Sequence, residues 1–161
     1  MRVLGVDPGP ERSGVVVYCT DDRRCVYAKV IETEELLSRR FHSLAVLHMV
    51  SVAAIERVQS YGIAGGSLLR TSEVVGRLWE LALRDGLAVH LLYRREVLSA
   101  LDVSGKGNRD SLVRARLIEM HGGTRAAACG RKSSRGPLYG VSSHAWSALA
   151  CAVVASSRPS A

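Results

Sequence analysis

Asp7, Glu56, His144 and Ser147 are the residues whose types and settings point to chemistry. Asp7 ends an apolar β-rich run, Val3-Leu4-Gly5-Val6, and is followed by a Pro8-Gly9-Pro10 turn and by Ser13-Gly14. Glu56 ends a second apolar run, Val52-Ala53-Ala54-Ile55. A carboxylate held at a strand end has a fixed direction and suits a hard divalent cation such as Mg²⁺ or Mn²⁺. His144 opens a late apolar helix, and imidazole can ligate Mn²⁺ or act on an attacking water. Ser147, three residues on, shares its side of the helix and offers a hydroxyl without charge. Each residue also has an ordinary reading. Asp before Pro-Gly is a common turn former, Glu56 beside Arg57 makes a strand-end ion pair, and His144 fits a helix cap with Ser142 or Ser143 as N-cap. Taken jointly and in this order, they point to metal-assisted phosphodiester cleavage, in which two ions about 4 Å apart can serve attacking and leaving oxygens.

The charge of the chain agrees. Its 161 residues carry 22 Lys and Arg against 15 Asp and Glu, a formal net charge of +7, with a pI near 9.7. Beyond Glu119 there are basic residues and no Asp or Glu. Such a chain gains affinity for nucleic acid by displacing counterions from phosphates. One Phe and few other aromatics argue against a base-stacking single-strand binder. Gly105-Lys106-Gly107-Asn108-Arg109 precedes a helix, a setting that favours phosphate. Arg94, Arg95, Lys106, Arg109, Arg114 and Arg116 are candidate groove residues, Arg131, Lys132 and Arg135 form a basic loop, and Gln59 and Tyr61 follow Glu56 closely enough to probe strands near a scissile phosphate. Asp110 reads as a helix cap, with a metal or DNA contact as its other reading.

Positioning these residues requires particular elements. Residues 2–7, 13–19 and 25–31 read as three meandering strands, 34–49 as a helix, 51–57 as a strand, 67–84 as a helix and 88–92 as a strand. Helices follow at 94–101 and 110–121, then a Gly/Arg/Ser-rich loop from 122 to 140 and a buried helix over 142–156. The first three strands pair antiparallel; the last two need crossover helices and run parallel. The expectation is one α/β domain over 1–156, a mixed five-stranded sheet with helices on both faces, and a flexible tail over 157–161. The apolar side of 67–84 can serve the core and a dimer partner, and spacing does not divide it between them. No apolar run approaches the ~18 residues of a membrane span, the N-terminus reads as a strand rather than a secretory signal, and Cys19, Cys25, Cys129 and Cys151 lack zinc spacing and fit reduced thiols in the cytoplasm.

The motif set Gly5-Val6-Asp7-Pro8-Gly9 with Ser13-Gly14, Ala54-Ile55-Glu56-Arg57-Val58, Gly105-Lys106-Gly107-Asn108-Arg109-Asp110 and His144-Ala145-Trp146-Ser147-Ala148-Leu149-Ala150 resembles the RuvC family of Holliday junction resolvases. With Tyr61-Gly62 after the glutamate, it looks closest to short phage- or prophage-type members. The resemblance implies a ribonuclease H-like fold, a homodimer, and symmetric nicking of four-way DNA junctions with Mg²⁺ or Mn²⁺, leaving 5′-phosphate and 3′-hydroxyl ends. It makes Asp7 and Glu56 the first two acidic ligands and His144 the third ligand. Ser147 departs from the family pattern, which has a fourth carboxylate there. That implies looser metal binding, a preference for Mn²⁺, or a junction binder that does not cut. Action on RNA–DNA hybrid or flaps is a further reading. A sugar-kinase or actin-like ATPase is a fourth reading, disfavoured by a chain too short for two lobes and by the missing second phosphate loop.

Overall fold

The computed structural model describes residues 1–59, 62, 65–104 and 107–158. Strands β1 (Arg2–Asp7), β2 (Arg12–Cys19) and β3 (Arg24–Glu32) form the meander, followed by β4 (Val52–Arg57) and β5 (Ala88–Tyr93). The sheet order is β3-β2-β1-β4-β5. β1 pairs antiparallel with β2 and parallel with β4, and β4 pairs parallel with β5. β1 and β2 are covered on both faces, which is why Val3, Leu4, Val6 and Val15–Val17 read as unbroken apolar runs. β3 lies at an edge and alternates buried with exposed residues, Lys29 and Arg24 among its polar positions.

Each face carries its own core. One packs Leu4, Val6, Val15, Val17, Ala53 and Ile55 against the helical segment after β3 and against α3 (Gly66–Arg84). That segment runs through α1 (Thr33–Glu35), a π-helical stretch (Leu36–Arg40) and α2 (Phe41–Leu47). The wider π turn was not expected from the apolar spacing, which it accommodates by keeping Leu36, Leu37, Phe41, Leu44 and Ala45 buried. The opposite face packs Val3, Val16, Tyr18, Val52 and Ala54 against α4 (Arg94–Ala100), α5 (Arg109–Met120) and α7 (Ala145–Ser156).

Two sequence expectations need correction here. The span 122–140 is not all loop: Thr124 caps a short α6 (Arg125–Ala128) by accepting from the Ala127 amide, and β6 (Gly130–Arg131) and β7 (Ser134–Arg135) form a small hairpin. Ala128 and Leu138, both fully buried, anchor it to the core. Elements of two to four residues carry no hydrophobic period to read. The last helix begins at Ala145 with His144 at its N-cap, not at 142.

α7 lies on the sheet with its backbone against strand backbone. A Cβ at Gly5 would strike the Ala148 carbonyl, and one at Gly14 the His144 carbonyl. Small residues on both sides permit this approach, and Ala148, Ala152 and Cys151 are fully buried. Among the described residues no helix is long and apolar enough to cross a membrane. Arg158 is tied to Glu96 at 3.3 Å, and 159–161 lie outside the described residues.

Because Gly14 faces α7 backbone rather than a flexible side chain, Gly14→Ala cannot be absorbed by a rotamer change. It is expected to destabilise the fold by about 1–3 kcal/mol, read as a lowered urea midpoint with an unchanged slope.

Candidate active site

Strand register fixes where the two carboxylates point. Val6 pairs with Ile55 across the parallel β1–β4 ladder. Asp7 and Glu56 are the next residue on each strand. Side chains alternate along a strand, so Asp7 follows Val3 and Gly5, and Glu56 follows Val52 and Ala54, on the face covered by α7. The two acids stand side by side at the strand ends with 20% and 15% of their side-chain surfaces exposed.

The turn after Asp7 is held by a closed ring of hydrogen bonds. The Gly9 amide donates to Ser13 Oγ at 3.3 Å, the Ser13 and Thr33 hydroxyls lie 2.9 Å apart, and Thr33 Oγ1 donates to the Gly9 carbonyl at 2.8 Å. Thr33 is committed to that carbonyl, so Ser13 donates within the pair. Both hydroxyl residues are buried, and every polar group in the ring is satisfied.

His144 reaches Asp7 from above Gly14, which is itself paired with Asp7 across the β1–β2 ladder. Its Nδ1 lies 3.3 Å from Asp7 Oδ2 and donates to it. In the neutral ring that leaves Nε2 as the lone-pair nitrogen. Ser147 sits one turn into α7 and accepts a hydrogen bond from Arg94 Nη1 at 3.3 Å. Arg94, the first residue of α4, also places Nη1 3.8 Å from Glu56 Oε1 and pairs Nη2 with Asp110. The sequence reading made Arg94 a groove residue, and the structure brings its guanidinium into the acidic cluster. Asp110 is not the cap of α5: the Asn108 side chain accepts from the Asp110 and Ser111 amides and fills that role, leaving Asp110 free to meet Arg94.

The other expected contacts divide. Gln59 lines a recess with Asp7, Glu56 and Arg94. Arg114 stacks on Trp146, 5.1 Å from the ring centre, and with Arg94, Asp110, Ser111, His144 and Ser147 borders a cavity of about 310 Å³ beside the site. Arg95 stacks on Tyr93 and lines a separate recess with Glu96, Ser99 and Arg158. Arg109 is exposed at the start of α5. Arg131 and Lys132 are exposed on the hairpin, and Arg135 covers Tyr139. Tyr61 and Lys106 lie outside the described residues.

Burial raises the pKa of Asp7, with His144 opposing the rise. Glu56 is pushed up to about 7, first by burial and then by the charge of Asp7, with Arg94 opposing. Among the described residues Glu56 Oε2 is buried without a hydrogen-bond partner. Two adjacent carboxylates, one with an orphaned oxygen, are a donor set suited to a hard divalent cation. Asp7 is shared between Glu56 on one side and His144 on the other, and among the described residues no three His, Cys, Asp or Glu side chains close into one metal-ligand cluster.

A raised carboxyl pKa makes its stabilising contribution fully below the unfolded value of about 4.5 and loses it as pH rises through about 7. Metal-free Glu56→Gln is therefore expected to melt above wild type at pH 8, with the difference shrinking toward pH 5. Thermal unfolding in chelator across that range checks it; a gap that widens on acidification would contradict the assignment.

No protein-family model matches the chain. It is 28% identical over 173 residues to the crossover junction endodeoxyribonuclease RuvC of Pseudarthrobacter chlorophenolicus, covering 99% of this chain and 87% of that protein. RuvC of Paenarthrobacter aurescens is 31% identical over 126 residues, 71% of this chain and 66% of the relative. RuvC of Corynebacterium glutamicum is 29% identical over 124 residues, 70% of this chain and 56% of the relative. Among solved structures, Thermus thermophilus RuvC in complex with Holliday junction substrate matches with a TM-score of 0.66 at 21% identity, over 96% of this chain and 91% of that one. A second Thermus thermophilus RuvC structure matches with the same score and identity over 92% of its length. With its β3-β2-β1-β4-β5 sheet between two helical layers, this chain has the ribonuclease H-like fold of RuvC.

Proposed function

We propose that this chain is a RuvC-type endonuclease that resolves four-way DNA junctions by divalent-metal-dependent hydrolysis, as a homodimer. The observation that carries the reading is the pair of adjacent, mostly buried carboxylates, Asp7 and Glu56, with an orphaned oxygen on Glu56. Similarity to RuvC along 99% of the chain supports it, as does the net charge of +7.

In this reading Asp7 and Glu56 hold Mg²⁺ or Mn²⁺, with His144 Nε2 as a further ligand or as the base for water. The bound ion supplies charge relief at the phosphate and acidifies water. Water adds to phosphorus, the bond to O3′ breaks, and the departing oxygen takes a proton, leaving a 5′-phosphate and a 3′-hydroxyl. His144 is hydrogen-bonded through Nδ1 to Asp7, which orients the ring. Arg114 and Gln59, on the two recesses flanking the carboxylates, contact the strand, while Arg109, Arg131 and Lys132 hold more distant phosphates.

Dimerisation is supported by α3. Leu69, Gly76, Trp79 and Leu83 follow one another at intervals of seven, three and four residues, the pattern of a helix–helix seam. Leu69, Trp79 and Leu83 are 56%, 46% and 54% exposed, and among the described residues nothing stands within 4 Å of where a Gly76 Cβ would be. A second copy packed along this seam places two sites on two strands of a symmetric junction.

Purified protein is expected to nick a strand-labelled four-way junction in Mg²⁺ or Mn²⁺ and to spare linear duplex and RNA–DNA hybrid, with Asp7→Asn reduced to background. Cleavage undiminished in Asp7→Asn would overturn the site. Trp79→Glu, which introduces a charge into the α3 seam, is expected to convert a dimer to a monomer by light scattering; a dimer that persists would move the interface elsewhere.

A further inference from the structure

We propose that Arg94 is a built-in cation of the site, taking the charge-neutralising place of a second metal ion, so that each protomer works with one divalent ion at Asp7 and Glu56. The inference deepens the nuclease reading above and rests on it for the reaction.

The position follows from topology. β5 is parallel to β4 with Glu56 opposite Leu92 and Arg57 opposite Tyr93, so the residue after Tyr93 emerges beside Glu56. The chain turns there into α4, and the Glu96 carboxylate accepts from the Tyr93 amide at 2.7 Å, fixing the turn. Arg94 is thereby delivered to the acidic cleft by rigid elements. Its guanidinium spans three partners: Glu56 Oε1 at 3.8 Å, Ser147 Oγ at 3.3 Å, and Asp110. It lies at the boundary of two recesses, one lined by Asp7, Glu56 and Gln59 and the other by Asp110, His144 and Ser147. It is 27% exposed, so part of it remains open to a ligand.

Charge counting then limits what else the site can hold. With all three ionised, as ligands to a cation must be, Asp7, Glu56 and Asp110 bring three negative charges and Arg94 one positive, leaving two on the protein, which one divalent ion balances. A second ion calls for further anionic oxygen, and the residue on α7 nearest to Arg94 is the hydroxyl of Ser147, which adds none. The guanidinium meets the same need differently. It does not lose its proton, and its planar donors match the oxygens of a phosphate. As a strand phosphate enters, Arg94 donates to a non-bridging oxygen and keeps its protons; the bond changes are those of the hydrolysis above. Ser147 and Arg94 act, on this reading, as one unit: where a carboxylate would hold a second ion, a hydroxyl accepts from the cation standing in for it.

The ion count tests this apart from activity. Mn²⁺ titration of the whole protein, followed by calorimetry and electron paramagnetic resonance, is expected to give one ion per protomer, without the spin coupling of a close pair. Arg94→Ala combined with Ser147→Asp is expected to bind two coupled ions. Arg94→Ala alone is expected to cut junctions at least tenfold more slowly at saturating Mn²⁺, and Arg94→Lys to keep part of the rate. Two coupled ions on wild type, or a wild-type rate in Arg94→Ala, would overturn the proposal. Should wild type cut no junction at all, the nuclease reading falls and the ion count on unmodified protein still decides this one.

Discussion

The mutual repulsion of Asp7 and Glu56 is the constraint around which the site is arranged. A parallel ladder with Val6 opposite Ile55 leaves these acids no choice but to be neighbours, and the α7 layer withdraws them from water. Coulomb energy between like charges rises steeply as the surrounding dielectric falls. The protein tolerates the arrangement by surrounding it with compensation: His144 on Asp7, Arg94 on Glu56, and a partly protonated Glu56 near neutrality. Under the proposed function, what is a stability liability without a cation would become affinity for one, the general relation between strained sites and ligands.

Such a site needs a stiff frame, and the frame is built from absence of side chain. Gly5 and Gly14 let the carbonyls of α7 rest on β1 and β2, which sets the height of His144 and Ser147 over the sheet. Alanines at 145, 148, 150 and 152 complete the close fit. Glycine in a strand is unfavourable by itself; here the loss is offset by burial of an entire helix. The ring through Gly9, Ser13 and Thr33 stiffens the remaining side by binding the turn after Asp7 to the start of α1. Motif residues with no chemistry of their own thus act through position.

These features were unevenly legible in the sequence. β1, β2 and β4 could be read because strands buried on both faces give unbroken apolar runs, ended in β1 and β4 by a carboxylate, and the sheet order then followed from connection rules. Period-two alternation also places Asp7 and Glu56 on one face once their strands are adjacent. Arg94 was less legible: an arginine pair after a strand reads as a surface cation, and only the parallel register to β4 brings it beside Glu56. Asp110 was assigned as a cap because Asp and Asn compete for that role, and the choice of Asn108 depends on backbone geometry that spacing does not encode. The hairpin at 130–135 is held by the burial of Ala128 and Leu138, a tertiary cause with no local pattern.

The charge distribution poses a last physical question, how a protein that attracts phosphate overall admits it to an acidic centre. Positive charge is spread over exposed arms such as Arg109, Arg131 and Lys132, where it acts over a Debye length of about 8 Å. The carboxylates are recessed and act at contact. Under the proposed function a duplex would be drawn in by its many distant phosphates, while the one phosphate brought to the strand ends would meet repulsion unless cations stood between. Arg94 is already there, held by Glu56, Ser147 and Asp110. Under the proposed function affinity and chemistry are therefore separable on this surface: basic residues away from the cleft would govern how tightly and at what salt DNA binds, and the composition of the cleft whether a bound strand is cut.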